Sequence, residues 1–330
     1  MSTRPVSILV FPGFQTLDAV GPLDVLVGLN RYLDAHGLEA PRYDVTIVGA
    51  GDGPIRSESG LNVTADRSLE RTSDAVDTLI VAGGRGVEQA AADDHTVAWV
   101  RDTASEARRV CSVCSGAFVL AAAGLLDGHT VTTHWARADQ LATAHPLVDV
   151  DPDPIHRHSG KIWTSAGVTA GIDMTLALVE QDHGAEAAQT VARWLVMFLR
   201  RPGGQSQFAA PVWADAADVE PIRAAQDAVN AEPGGDHTVE AMAQRGGFST
   251  RHFTRVFRAE VGCTPARYVE KVRVDAARRA LETTGTGLVP IAAACGFGTA
   301  ETMRRAFLRQ IGVTPSDYRS RFRTTAGTPA

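Results

Sequence analysis

The last third of the chain is built twice. Gly247-Phe248-Ser249-Thr250 through Thr264-Pro265-Ala266-Arg267-Tyr268 returns about 50 residues later as Gly296-Phe297-Gly298-Thr299 through Thr314-Pro315-Ser316-Asp317-Tyr318. Between those ends Phe257 matches Phe307 and Gly262 matches Gly312. A unit of this size built twice presents two similar surfaces, which suits a target that itself repeats. Duplex DNA is such a target, because its major groove returns every ~34 Å.

Each copy reads as two helices around a glycine turn. In the first, Thr238 to Arg245 is a short helix with Thr238 as N-cap. Gly246-Gly247 makes the turn, and the next helix starts near Ser249. Phe253, Val256, Phe257 and Val261 fall on one apolar stripe. Arg251, Arg255 and Arg258 fall on another, with Ser249, Thr250 and His252 at the helix start. In the second copy Val289 to Cys295 is a helix, Gly296 the turn, and a helix runs on from Thr299. Met303, Phe307 and Ile311 point inward; Thr302, Arg305 and Arg309 point outward, with Glu301 and Arg304 beside them. An arginine on such a face meets guanine O6 and N7 or a phosphate, or it is simply solvated. The two copies are expected to place these stripes alike, which favours DNA contact. A connecting helix from Val272 to Leu281 is expected to bring Arg273, Arg278 and Arg279 to backbone phosphates.

Charge divides the chain in the same way. Residues 219–330 hold 16 Lys and Arg against 11 Asp and Glu, whereas residues 1–218 hold 16 against 27. The overall balance of −6 therefore hides a basic C-terminal part beside an acidic N-terminal one, as in a DNA-binding module joined to a different domain. No run of about 18 apolar residues exists, so no membrane span is predicted. The first residues lack the apolar stretch and cleavage site of a signal peptide, and a cytoplasmic location is expected. Cys111, Cys114, Cys263 and Cys295 are too few and scattered for a disulfide framework.

The first 200 residues alternate short apolar runs with helical spacing. Strands are predicted at Val6–Phe11, Tyr43–Val48, Thr78–Ala82, Arg109–Val113, Val131–Thr133 and Ile162–Thr164, with helices at 21–36, 95–107, 116–126, 169–180 and 185–199. That order implies an α/β domain with a flavodoxin-like, mostly parallel sheet sandwiched by helices. Residues 201–218, opening with Arg201-Pro202-Gly203-Gly204, break the periodicity and read as a linker. The expected domains are therefore 1–200, 201–218 and 219–330, the last an all-α domain with two helix-turn-helix units.

Val113-Cys114-Ser115-Gly116-Ala117 carries the chemistry of the N-terminal part. A strand ends at Cys114 and a helix begins two residues later, so the thiol sits at a helix N-terminus, where positive partial charge favours thiolate. The Ser115 and Gly116 N–H groups are placed to hold an oxyanion. Leu17-Asp18, Val81-Ala82-Gly83-Gly84, Thr132-Thr133-His134-Trp135 and Ser165-Ala166-Gly167 accompany this elbow. Cys111 and Cys114 also form a C-x-x-C pair, but two further zinc ligands are lacking at suitable spacing. His156 and His158 read as loop residues, and no metal or cofactor is expected.

On these residues two resemblances stand out. Residues 219–325 resemble the AraC/XylS DNA-binding domain, through Ala276-Arg278-Leu281, Ile291-Ala292-Cys295-Gly296-Phe297, Phe307, Gly312 and Thr314-Pro315-Tyr318-Arg319. Residues 5–205 resemble the PfpI/ThiJ superfamily, related to class I glutamine amidotransferases, and the subgroup fused to AraC modules, in which Pro202-Gly203-Gly204-Gln205-Ser206 is typical of the junction. The first resemblance implies two helix-turn-helix units in successive major grooves. Their DNA-facing residues would be Ser249, Thr250, Arg251, His252, Arg255, Arg258, Thr299, Glu301, Thr302, Arg304, Arg305 and Arg309.

The segment through Ala121-Ala122-Ala123-Gly124-Leu125-Leu126-Asp127-Gly128 also resembles the isocyanide hydratase branch. That branch implies Cys114 as nucleophile, Asp18 as its proton partner, Ser115 as accessory hydroxyl and His134 nearby, with Gly83, Gly84 and Gly116 around a ligand pocket. The whole implies a transcription factor governed by a sensing or dimerising domain. Its expected partners are double-stranded DNA, a second copy, a small-molecule effector and RNA polymerase. The alternative is a cysteine-dependent hydratase or hydrolase with an attached DNA-binding module. Whether Cys114 is catalytic, sensing or a remnant stays open at this point.

Overall fold

The computed structural model describes residues 2–49, 53–69, 75–199, 204–205, 208 and 217–322. The chain divides into two compact units, Met1–Gln205 and Ser206–Ala330. Most of the span read as a linker lies outside the described residues. Two of its described residues belong to the units instead: Gln205 is buried in the first and Ala217 in the second.

The strands of the first unit are β1 (Thr3–Val10), β2 (Arg42–Gly49), β3 (Pro54–Arg56), β4 (Asn62–Thr64), β5 (Arg67–Ser68), β6 (Thr78–Val81), β7 (Arg109–Val113), β8 (Thr130–Val131), β9 (Asp149–Val150), β10 (His156–Ser159) and β11 (Ile162–Ser165). Its helices are α1 (Thr16–Ala35), α2 (Val87–Ala92), α3 (Asp94–Glu106), α4 (Ala117–Ala122), α5 (Ala138–Ala144), α6 (Ala170–His183) and α7 (Ala185–Trp194). A seven-stranded sheet runs in the order β10-β11-β7-β6-β1-β2-β5, parallel except for the antiparallel edge pair β10 and β11. Every residue of β6 and β7 is buried, because helices cover both faces of the sheet. This is why Leu79-Ile80-Val81 of β6 reads as a continuous apolar run rather than an alternating one. Helices α1 and α6 approach closely at Gly21, where a Cβ would come within 2.8 Å of Ile172.

The short elements β5, β9, β10, α2 and α5 escape a reading by periodicity, since two to seven residues hold too few repeats to register. The expected helix at 116–126 is shorter than its pattern: Cys114–Gly116 forms a tight 3-10 turn and α4 stops at Ala122.

The second unit holds α8 (Glu220–Ala231), α9 (Val239–Arg245), α10 (Thr250–Val261), α11 (Pro265–Thr283), α12 (Leu288–Ala294), α13 (Ala300–Ile311) and α14 (Pro315–Phe322). The repeated residues are its start and stop signals. Gly262 and Gly312 end α10 and α13 in the left-handed conformation, at φ 76° and 69°. Thr264 and Thr314 then cap the next helices, each accepting the N–H three residues on, with Pro265 and Pro315 in the first turn. Two small cores result. Phe257 meets Tyr268 edge-on at 5.6 Å in the first, and Phe307 meets Tyr318 at 6.0 Å in the second. Helix α11 serves both, giving Val269 and Val272 to one and Val274, Ala277 and Leu281 to the other.

Candidate functional site

Because β1 lies between β2 and β6, the chain leaves β1 on one side and returns on the other. The carboxyl ends of β1 and β6 therefore form the crevice where open α/β sheets take ligands. Four expected residues converge there: Asp18 in the first turn of α1, Gly83-Gly84 after β6, and Cys114 directly after β7.

Cys114 has φ +56°, a conformation L-residues rarely adopt. The turn is anchored on both sides, by Cys114 N–H donating to Ala166 O at 3.0 Å and Thr133 Oγ1 donating to Cys114 O at 2.7 Å. Cys114 is only 9% exposed. Its donors are the Ser115 and Val168 N–H groups and the Ser115 hydroxyl, all of which favour thiolate. Burial outweighs them, and the Asp18 charge adds to burial, so the thiol is pushed up to about 12. The expectation of a helix-stabilised thiolate is thus corrected. The donors are present, but a six-residue helix cannot offset desolvation of the sulfur.

Asp18 is fully buried. Its Oδ2 accepts from Gly83 N–H at 2.9 Å, its Oδ1 is a buried oxygen without a hydrogen-bond partner, and the Cys114 thiol beside the carboxyl favours its charged form. Desolvation, reinforced by nearby Glu58, lifts this carboxyl to about 8 against the opposing pull of the Gly83 N–H. Burial thus favours the protonated form of both members of the pair.

The surrounding residues explain the glycines. A Cβ on Gly83 would lie 2.6 Å from Ser115 N and 2.9 Å from Asp18 Oδ2, so this glycine lets the two acids' supports meet. Gly84 N–H donates to Ser115 Oγ at 3.0 Å. Gly116, expected as a pocket wall, is instead a packing position: a Cβ there would fall 2.3 Å from Val81 O. His134 packs on Gly167, where a Cβ would strike its ring, and its Nδ1 accepts from Ala136 N–H at 3.2 Å. Burial and Arg137 lower its pKa, so the neutral ring carries its proton on Nε2. It borders the site through the Gly167–Val168 backbone.

Three contributors were missed by sequence reasoning. Val168 is the second strained donor, at φ +54°. The Ser165-Ala166-Gly167 motif pointed to its loop, but a valine gives no hint of positive φ. Glu58, at the β3–β4 hairpin, accepts from Gln15 Nε2 at 2.8 Å and Arg85 N at 2.9 Å at the rim. Gln205 fixes the Thr132–Trp135 segment by donating to Thr133 O at 2.8 Å and Thr132 Oγ1 at 3.1 Å while accepting from Trp135 N–H at 2.9 Å. Cys111 lies in the middle of β7, fully buried, its thiol also raised to about 12 by desolvation. Among the described residues no three His, Cys, Asp or Glu side chains gather as a metal site would need, and no helix is long and apolar enough to cross a membrane.

In the second unit, Ser249 and Thr299 are the N-caps of α10 and α13, their hydroxyls accepting from His252 and Thr302 N–H. These caps set the register between copies at 50 residues. Arg255 then matches Arg305, but Arg258 matches Leu308 and Arg309 matches Ala259. The outward stripes therefore coincide at one position rather than along their length. Thr250, Arg251, Thr254, Arg255 and Arg258 line one shallow concavity on α10. On α13, Arg304 pairs with Glu301 at 2.8 Å and Arg309 with Glu270 at 2.6 Å. Of the α11 arginines expected at phosphates, two are committed inside the unit. Arg273 donates to Pro233 O and Gly235 O, and Arg278 donates to Tyr318 Oη and Asp275.

The DJ-1/PfpI family profile matches residues 4–181, and a helix-turn-helix domain profile matches residues 242–321. The chain belongs to the DJ-1/PfpI family. Joined to its helix-turn-helix domain, this DJ-1/PfpI protein is an AraC-type transcriptional regulator and binds DNA. It is 38% identical over 265 residues to the HTH-type transcriptional regulator Rv1931c of Mycobacterium tuberculosis, spanning 76% of this chain and 96% of that protein. Isonitrile hydratase of Pseudomonas putida is 38% identical over 188 residues, 56% of this chain and 75% of the hydratase. Among solved structures, a ThiJ/PfpI family protein from Pseudomonas syringae superposes with a TM-score of 0.53 at 26% identity, covering 75% of this chain and 92% of that one.

Proposed function

We propose that the first unit is the sensing domain of the regulator and that Asp18 and Cys114 form its effector pocket. The observation that carries this is a fully buried carboxyl beside a buried thiol at the sheet's switch point, ringed by Gly83, Gly84, Ser115 and Val168 donors. With both acids protonated, the pocket is neutral and offers protons to a small ligand carrying an acceptor atom. Occupancy would alter how the second unit engages a promoter, and a homodimer would carry two copies to one operator. RNA polymerase is the partner through which a cytoplasmic regulator of this kind would act. In this proposal the domains are 1–200 and 219–330, joined by 201–218. The DNA-facing residues are those of α10 and α13: Thr250, Arg251, His252, Arg255, Arg258, Glu301, Thr302, Arg304, Arg305 and Arg309, with caps Ser249 and Thr299.

A second reading is a cysteine-dependent hydratase. It is favoured by the identity to isonitrile hydratase together with the meeting of Asp18 and Cys114. There the thiol would add to the substrate carbon and Asp18 would exchange the proton. A Cys114→Ala variant separates the two. Unchanged effector-dependent promoter control in the variant removes the thiol from the signal. Turnover of an isocyanide by the wild type and not by the variant establishes the hydratase.

A further inference from the structure

The two recognition helices carry the same formal charge but are not electrostatically alike. Helix α10 holds Arg251, Arg255 and Arg258, and α13 holds Arg304, Arg305 and Arg309. Among the described residues, no carboxylate pairs with an arginine of α10; Glu260, its own acid, is turned to the Asp218 and Val219 N–H groups ahead of α8. On α13 all three arginines face a carboxylate. Glu301 holds Arg304 by two hydrogen bonds of 2.8 and 2.9 Å and stands 3.9 Å from Arg305. Glu270, reaching across from α11, takes Arg309 at 2.6 Å and Gln310 at 3.1 Å.

We propose that Glu270 and Glu301 are specificity-determining residues that make the contribution of α13 conditional on the right sequence. The inference rests on α10 and α13 being the DNA-facing helices. Any duplex offers phosphates, and the arginines of α10 meet them without giving up a carboxylate; Arg255 gives up at most its bond to the His252 ring, at 3.2 Å. On α13 a phosphate that reaches Arg304 or Arg309 must displace a carboxylate that already bonds the guanidinium. Such exposed pairs add little to stability, so they tune the exchange rather than forbid it. A base edge that engages Arg305, or donates to Glu301 as cytosine N4 does, offsets the displaced pair; a random sequence does not. Glu270 acts through Arg309 and Gln310 and is a positioning residue.

The test uses the full chain, a random-sequence 30-bp duplex pool and the duplex the wild type enriches from it. Glu270→Gln and Glu301→Gln should each raise affinity for the random pool severalfold. They should also steepen the slope of log affinity against log salt by about one. Affinity for the enriched duplex should rise less, so that the ratio between the two narrows. Glu240→Gln, which removes an exposed charge without such a partner, should leave that ratio alone. In an Arg309→Gln background the Glu270→Gln effect should vanish, with melting temperatures of all variants matched to the wild type. Equal changes on both DNAs, or none, overturn the proposal. A wild type that enriches no sequence overturns instead the DNA-facing reading on which it rests.

Discussion

The Asp18 carboxyl and the Cys114 thiol, 96 positions apart in the chain, meet at one buried site where desolvation raises the pKa of each. Asp18 is held at the Gly83 N–H and Cys114 by the Ser115 and Val168 N–H groups, so the pair is positioned by backbone from three loops.

Stability should depend on the Asp18 proton. Its folded pKa of about 8 lies above the usual carboxylate value, so the fold favours the neutral form. The contribution is complete at pH values below the unfolded pKa near 4 and is lost as pH rises through 8. Each unit in that window removes up to about 1.4 kcal/mol. Asp18→Asn, which mimics the neutral acid, should flatten this decline. Thermal unfolding of the first unit from pH 5 to 8.5 measures it, and parallel curves for the two proteins would refute the shift.

Thiol reactivity should move the other way with the same substitution. The Asp18 charge opposes thiolate formation. Site-resolved alkylation of Cys114 by iodoacetamide at pH 9 to 10 should therefore be faster in Asp18→Asn than in the wild type. A slower or equal rate would show that the carboxylate instead draws the thiol proton.

Gln205→Ala should destabilise the first unit although Gln205 lies at the boundary between the units. The substitution leaves the Trp135 N–H and Thr133 carbonyl without their partner. Buried orphans of this kind cost about 1–3 kcal/mol. Calorimetry should show the loss in the first unit's transition alone. A lowered transition of the second unit would contradict the placement.

Arg255 and Arg305 occupy the same register on α10 and α13. Alanine at either should weaken specific DNA binding by about 1–3 kcal/mol if the side chain reads a base. Titrations on an enriched duplex at fixed salt check this. Unchanged affinity and footprint would remove that residue from the interface.

Much of this was visible before any coordinates. Gly262-x-Thr264-Pro265 and Gly312-x-Thr314-Pro315 work as helix stop and start wherever they occur, because left-handed glycine and a threonine N-cap are local devices. The same holds for the buried runs of β6 and β7. The arginine stripes were legible as stripes but not as partners. Helical periodicity gives the face of Arg309, not the presence of Glu270 39 residues away.

By itself the sequence determined the two units, the parallel α/β sheet, the twofold helix-turn-helix repeat and the elbow at Cys114, all of which follow from neighbours within a few turns of chain. Only the tertiary structure decided that burial favours the protonated elbow thiol, that Gly116 packs while Gly83 joins Asp18 to Ser115, and that the arginines of α13 face carboxylates where those of α10 do not. Those outcomes turn on desolvation and on charges brought together across the fold, and neither quantity exists until the chain has closed around the groups concerned.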